Sequence, residues 1–107
     1  MKIANFVTDV ANNGLEAIDK LSIRPCPYDA VLMDVRMPLM DGLEATRYCR
    51  DVLGLADLPI IAVTAEVGPS IRDAAMKAGA SDFFTKPVRT QEIVVALRSL
   101  QPSSYVM

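Results

Sequence analysis

Three residues of unlike chemistry stand at matching places in the chain. Asp34 follows the apolar run at residues 30–33, Thr64 follows the run at 60–63, and Lys86 follows the run at 82–85 and precedes Pro87. A carboxylate flanked by a hydroxyl and an ammonium can bind a metal ion or receive a phosphoryl group. The hydroxyl and the ammonium would then hold the phosphoryl oxygens by charge-assisted hydrogen bonds. Each residue alone has an ordinary reading. An aspartate after a strand caps a helix or shapes a turn, a threonine is a good strand former, and a lysine is usually solvated. Their order in one repeated pattern is what singles them out.

The elements that must position them follow from that pattern. Strand-like runs occur at residues 6–11, 30–33, 60–63 and 82–85. After each comes a stretch with helical spacing. Leu15, Ile18 and Leu21 form one face, with Asn12 or Asn13 as its cap. Ala45, Cys49, Val52 and Leu53 form the second, starting near Gly42, with Asp41 as a turn or cap residue. Ile71, Ala75 and Ala78 form the third, stopped by Gly79. Ile93, Leu97 and Leu100 form the fourth, with Thr90 as cap and Pro102 preventing continuation. Alternation of this kind predicts a parallel α/β sheet. The runs AVLM and IIAV are apolar without alternation, as strands covered on both faces are. FVTDVA alternates, which places the first strand nearer an edge. Asp9 reads as a polar residue on that strand's wet face; it would approach Asp34 only if its strand lay directly beside residues 30–33. In open parallel sheets ligands bind at the carboxyl ends of the strands, where Asp34, Thr64 and Lys86 converge.

Composition narrows the chemistry. The chain has 107 residues, net charge −2, 51% apolar and 22% charged residues, and no histidine. That is one domain, 1–107, with a core burying roughly 65% of the unfolded surface. The absence of histidine removes Ser-His-Asp and Cys-His catalysis and His-ligated zinc. No basic stripe marks a nucleic-acid binder. Mean hydropathy is +0.27, but no apolar run approaches the ~20 residues that span a bilayer, and no signal peptide is visible. Cys26 and Cys49 lack metal-ligand spacing and read as reduced thiols, consistent with a cytoplasmic protein. No glycine-rich phosphate loop supports a flavodoxin-like nucleotide binder.

The segments YDAVLMDVRMPLMDGLEATRYCR, LPIIAVTAEV and AGASDFFTKPV resemble the receiver domains of two-component response regulators, especially those attached to hybrid sensor kinases. The resemblance runs from about Asn5 to about Leu100. It implies a flavodoxin-like (CheY-like) doubly wound parallel sheet and a switch rather than an enzyme in the usual sense. It implies that Asp34 accepts a phosphoryl group from a histidine kinase or phosphotransfer protein, that Thr64 and Lys86 bind that group, and that Thr64 and Phe83 carry the switch. It implies a cis Lys86–Pro87 peptide, and Mg²⁺ held by Asp34 and the backbone carbonyl of Arg36. Pro38 and Gly42 match the turn after the acceptor, and Met33, Met37 and Met40 are packing residues.

The chain departs from the family at its start. FVTDVANNGLEAI matches the family's second strand and second helix, so the first strand, most of the first helix and the acidic pair that holds the metal are not represented. Residues 1–5 are expected to be a remnant of that first helix, and 102–107 a frayed tail. Magnesium wants several oxygen ligands in near-octahedral array, so weak or absent Mg²⁺ binding and weak phosphorylation are expected. A phosphorylation-independent interaction module is the alternative function. The absent strand is central in the family's order, which would leave facing edges on the strands at 6–11 and 30–33. Such edges recruit partners, so a homodimer or element-exchanged dimer is expected.

Overall fold

The computed structural model describes residues 7–9, 11–97 and 105–107. Nine elements follow in order: β1 (Val7–Thr8), α1 (Gly14–Leu21), β2 (Val31–Asp34), α2 (Gly42–Asp51), β3 (Ile60–Thr64), α3 (Pro69–Ala78), β4 (Asp82–Thr85), α4 (Thr90–Ala96) and β5 (Tyr105–Val106). Strands β2, β3 and β4 pair in parallel, with Asp34 level with Val63 and Thr64 level with Thr85. Every residue of β3 is buried while β2 alternates. The strand without alternation is the one covered on both faces.

The tail is not frayed at residues 105–107. Here β5 pairs with β1 in parallel, Val7 with Tyr105 and Thr8 with Val106. On its other side it meets β2: Ala30 bridges Val106, the Met107 N–H donates to the Ala30 carbonyl at 3.0 Å, and the Leu32 N–H donates to the Met107 carbonyl at 2.6 Å. This bridge joins the two-stranded sheet β1-β5 to the three-stranded sheet β2-β3-β4, so the strands lie in the order β1-β5-β2-β3-β4. The position expected to be vacant between β1 and β2 holds a strand from the far end of the sequence. Unpaired backbone groups along facing strand edges are costly, and Tyr105 to Met107 satisfy groups of this kind on β1 and at residues 30–32. Val106 is 1% exposed and Met107 8%. Successive strand side chains face opposite ways, so Val106 joins the cluster of Ala30, Ile61, Val63 and Leu97, and Met107 joins that of Leu21, Val31, Met33, Cys49 and Ile60. Residues 1–5, expected as a helix remnant, lie outside the described residues.

Helix starts and stops follow their local chemistry. The Asn13 side chain accepts from Glu16 N at 2.8 Å and caps α1, and that of Asp41 accepts from Glu44 N at 2.9 Å and caps α2. Gly79 closes α3 in the left-handed region, φ 108°. Two expectations shift. Arg89, not Thr90, stands at the N-cap of α4, and Thr90 is its first residue. In α1 the buried stripe is Gly14, Ala17 and Leu21, while Leu15 is 48% exposed. The helix is turned because Gly14 donates to the Met40 carbonyl at 3.0 Å, and a side chain there would reach within 2.2 Å of that oxygen.

The amino end of the sheet is fastened by Arg50. Its Nε donates to Gly79 O at 2.9 Å, its Nη1 to Leu55 O at 2.5 Å and Leu58 O at 2.6 Å, and its Nη2 to Ser81 Oγ at 3.3 Å. Burial lowers its pKa, the largest of the influences on it. Both cysteines are free thiols, with Cys49 buried and Cys26 half-buried. Burial pushes the Cys49 thiol up to about 11. Thiolate is the reactive form, so alkylation of the native protein at neutral pH is expected to modify Cys26 first and Cys49 only on unfolding. Equal rates by peptide mapping would contradict that burial.

Candidate functional site

Strands β2, β3 and β4 end together, and their last residues form one rim. Asp34 closes β2 and Thr64 closes β3, and Lys86 follows β4, with its N–H donating to the Thr64 carbonyl at 2.7 Å. The Lys86–Pro87 peptide is cis. Lys86 Nζ donates to Asp34 Oδ2 at 2.9 Å, with side chains 45% and 42% exposed. Thus two residues 52 positions apart form a contact that leaves Asp34 Oδ1 clear of the ammonium. Thr64 is 1% exposed and its Oγ1 accepts from the Glu66 N–H at 3.2 Å. That bond uses the hydroxyl as acceptor and leaves its proton available for donation.

The loop after Asp34 is shaped by close backbone approach. The Gly42 N–H donates to the Val35 carbonyl at 2.9 Å, and a Cβ on Gly42 would fall 2.1 Å from the Asp34 carbonyl oxygen. Gly42→Ala is therefore expected to cost about 2 kcal/mol by overpacking, read as a lowered urea midpoint. An unchanged midpoint would show that the loop gives way freely. Leu39, in the same loop, has φ 69° and is exposed. Phe83 is buried with Val35, Ala62, Ala75 and Ala80.

Sequence reasoning missed one contact on this rim. Arg36, two residues past Asp34, forms an ion pair through Nε with Glu66 Oε1, two residues past Thr64. The pair spans the crevice between the loops that leave β2 and β3. The hydrogen bond to Arg36 holds the Glu66 carboxyl below the usual carboxylate range, and Glu66 holds Arg36 above its ordinary value. A lowered carboxylate pKa stabilises the pair above the ordinary carboxylate range, and the benefit is lost as pH falls through the lowered value. In Arg36→Gln the Glu66 midpoint is expected to rise, observed by carboxyl-carbon NMR titration. No change would mean the pair is not populated in solution. The equal spacing of Arg36 and Glu66 after the two strand ends was the available signal.

The described residues, taken by themselves, gather no ligand set suited to a divalent metal. No group of three or more Asp, Glu, Cys or His side chains suited to a metal occurs among the described residues. The residues outside them contain no Asp or Glu. Asp9 does not supply a second carboxylate, because β5 separates β1 from β2. The Asp9 N–H donates to Val106 O, which places Asp9 level with Val31, three residues short of Asp34 and roughly 10 Å back along the strands. Its Oδ2 accepts from Tyr28 OH at 2.6 Å and Lys20 Nζ at 2.9 Å. On Asp34 itself, Oδ2 is already engaged by an ammonium.

Comparison with known proteins agrees with the fold. The family model described as the response regulator receiver domain matches residues 1–98. A two-component response regulator of Oryza sativa, ORR41, is 44% identical over 91 residues, covering 85% of this chain and 70% of the relative. The response regulator MprA of Mycobacterium tuberculosis is 40% identical over 97 residues, covering 89% of this chain and 40% of its own. Hybrid signal transduction histidine kinase B of Dictyostelium discoideum is 33% identical over 108 residues, with 91% of this chain matching 5% of that protein. Among solved structures, the receiver domain of a Pseudomonas aeruginosa sensor histidine kinase, described with magnesium coordinated in its active-site cleft, superposes with a TM-score of 0.74 at 33% identity, covering 85% of this chain and 73% of that one. Vibrio cholerae CheY4 superposes with a TM-score of 0.73 at 26% identity, covering 87% and 76%. No helix among the described residues is long and apolar enough to cross a membrane. Strand β5 lies beyond the residues that the family model matches. The chain belongs to the response regulator receiver domains of two-component signalling, a family of flavodoxin-like signalling modules.

Proposed function

We propose that this receiver accepts a phosphoryl group on Asp34 from a histidine kinase or phosphotransfer protein and relays it as a change in a protein-interaction surface. The observation that carries the reading is the 2.9 Å contact of Lys86 Nζ with Asp34 Oδ2 beside a buried Thr64. In this arrangement Oδ1 is the nucleophile. Lys86 orients the carboxylate and then draws a phosphoryl oxygen, and the Thr64 hydroxyl donates to another. Burial of Thr64 and Phe83 supports a switch role for both. A shift of the Thr64 hydroxyl toward a phosphoryl group alters the packing around β3 and β4, and Phe83 lies in that packing. In family members that bind it, magnesium neutralises charge during transfer; the poor fit of the present residues supports impaired phosphorylation of this chain.

Incubation with acetyl phosphate and Mg²⁺, followed by intact mass, is expected to give slow, substoichiometric modification. Asp34→Asn is expected to remove it. Rapid stoichiometric labelling would overturn the impairment. If neither acetyl phosphate nor a histidine-phosphorylated phosphotransfer domain labelled Asp34, the phosphorylation-independent interaction module would be the better reading.

A further inference from the structure

We propose that Cys26 and Cys49 form a peroxide-sensitive redox site, in which oxidation joins the two thiols in an intramolecular disulfide that ties α2 to the segment leading into β2. The pair lies at the amino end of the sheet, away from the rim that carries Asp34, and its chemistry is independent of phosphoacceptance.

Two observations bring the thiols together. Cys49, in the last turn of α2, is buried in the cluster of Leu21, Val31 and Ile60, and Cys26 packs against that same cluster. The Leu55 N–H donates to the Cys49 carbonyl at 3.0 Å, and Leu55 lines an open cavity of about 410 Å³ together with Cys26 and Tyr28. Their nearness also shows in the titration of Cys49. Burial is the main reason its thiol is pushed up to about 11, and Cys26 adds to the rise, as a like charge does at short range.

The two sulfurs differ in access and in freedom. Cys26 is half-buried at the cavity, where a small oxidant reaches it, and its Sγ makes a long, weak contact of 3.9 Å with the Tyr28 carbonyl oxygen. It stands in residues 22–29, which belong to no helix or strand. Disulfide geometry is specific, and a connecting segment moves to meet it more easily than a packed helix does. Cys26 is therefore the thiol that meets the oxidant, and Cys49 the one that resolves the product.

The chemistry balances with hydrogen peroxide as the oxidant. The Cys26 sulfur attacks one peroxide oxygen, and the S–O bond forms as the O–O bond breaks. The departing hydroxide takes the Cys26 proton and leaves as water, giving a sulfenic acid. The Cys49 sulfur then attacks the Cys26 sulfur, and the S–S bond forms as the S–O bond breaks. The departing hydroxide takes the Cys49 proton and leaves as a second water. Two thiols are oxidised by two electrons, and one peroxide is reduced to two waters.

The test treats the full chain, reduced and folded, with hydrogen peroxide and reads intact mass and peptide linkage under denaturing conditions. Wild type is expected to lose two hydrogens, to lose both thiols toward N-ethylmaleimide, and to yield a linked Cys26–Cys49 peptide that dithiothreitol releases. In Cys49→Ala the Cys26 sulfenic acid is expected to accumulate, trapped by dimedone far above the wild-type level. In Cys26→Ser, which alters a half-buried position, Cys49 is expected to stay reduced. The oxidised protein is expected to keep native circular dichroism and a urea midpoint at or above that of the reduced form, because the bond closes a loop of the unfolded chain. Cys26 sulfinic acid, or two chains joined through Cys26, with Cys49 still reduced, would overturn the proposal. So would survival of both thiols in peroxide that oxidises free cysteine, or a disulfide form with a lowered urea midpoint.

Discussion

Replacing Val106 by aspartate is expected to unfold most of the protein at 25 °C. Val106 is 1% exposed and packs with Ala30, Ile61, Val63 and Leu97 on one side of the sheet. A carboxylate placed there has no described cation to meet, and an unpaired buried charge costs at least about 4 kcal/mol after relaxation. Domains of this size have only roughly 5–15 kcal/mol in total. The backbone adds to the penalty. Expelling β5 from the sheet frees the Asp9 and Leu32 N–H groups and the Ala30 carbonyl together. Val106→Ala removes apolar contact without adding charge and is expected to cost about 2 kcal/mol. Urea denaturation followed by circular dichroism distinguishes the outcomes. A Val106→Asp midpoint close to wild type would show that β5 is not part of the sheet in solution.

The second large effect belongs to Arg50. Arg50→Met keeps the aliphatic stem but removes the donors to Gly79 O, Leu55 O and Leu58 O. Three half-covered carbonyls then need new partners, and water reaches some of them. A loss of about 3 kcal/mol follows, which lowers Tm by about 15 °C for a domain of this length. Arg50→Lys recovers part of it, because one ammonium cannot reach the spread of acceptors that a fork does. A calorimetric Tm for Arg50→Met within a few degrees of wild type would show that these bonds carry no net stability. Phosphorylation of Asp34 should be little affected while the protein stays folded, since Arg50 fastens the opposite end of the sheet.

Much of this architecture was legible from local pattern. The unbroken apolar runs gave β2 and β3, the residue after each strand gave the rim, and Asn13, Asp41 and Gly79 announced helix boundaries by chemistry confined to a few residues. The parts that were not legible depend on partners distant in sequence. Residues 105–107 are too few, after Pro102, Ser103 and Ser104, to show a period, and only the exposed edges of β1 and β2 make a strand of them. In α1 both Leu15 and Ala17 sit at helical spacings. The Met40 carbonyl against Gly14 chooses between them. Arg36 and Glu66 are 30 positions apart, and nothing in either neighbourhood encodes the pairing beyond their equal offsets from Asp34 and Thr64.

The place of β5 also dictates when the molecule can fold. Its pairing joins Val7 to Tyr105 and so closes the longest loop in the described chain. Loop closure must precede the contacts that reward it, and non-local pairing of this kind slows folding. During synthesis β1, α1 and β2 emerge early and wait with their facing edges unpaired until Tyr105, Val106 and Met107 have been made. A nascent chain halted before that point would expose those edges to any strand that came by. Folding of this receiver is therefore an event that follows synthesis of β5, and ribosome-stalled chains ending before residue 105 should resist proteolysis far less than chains extended past residue 107.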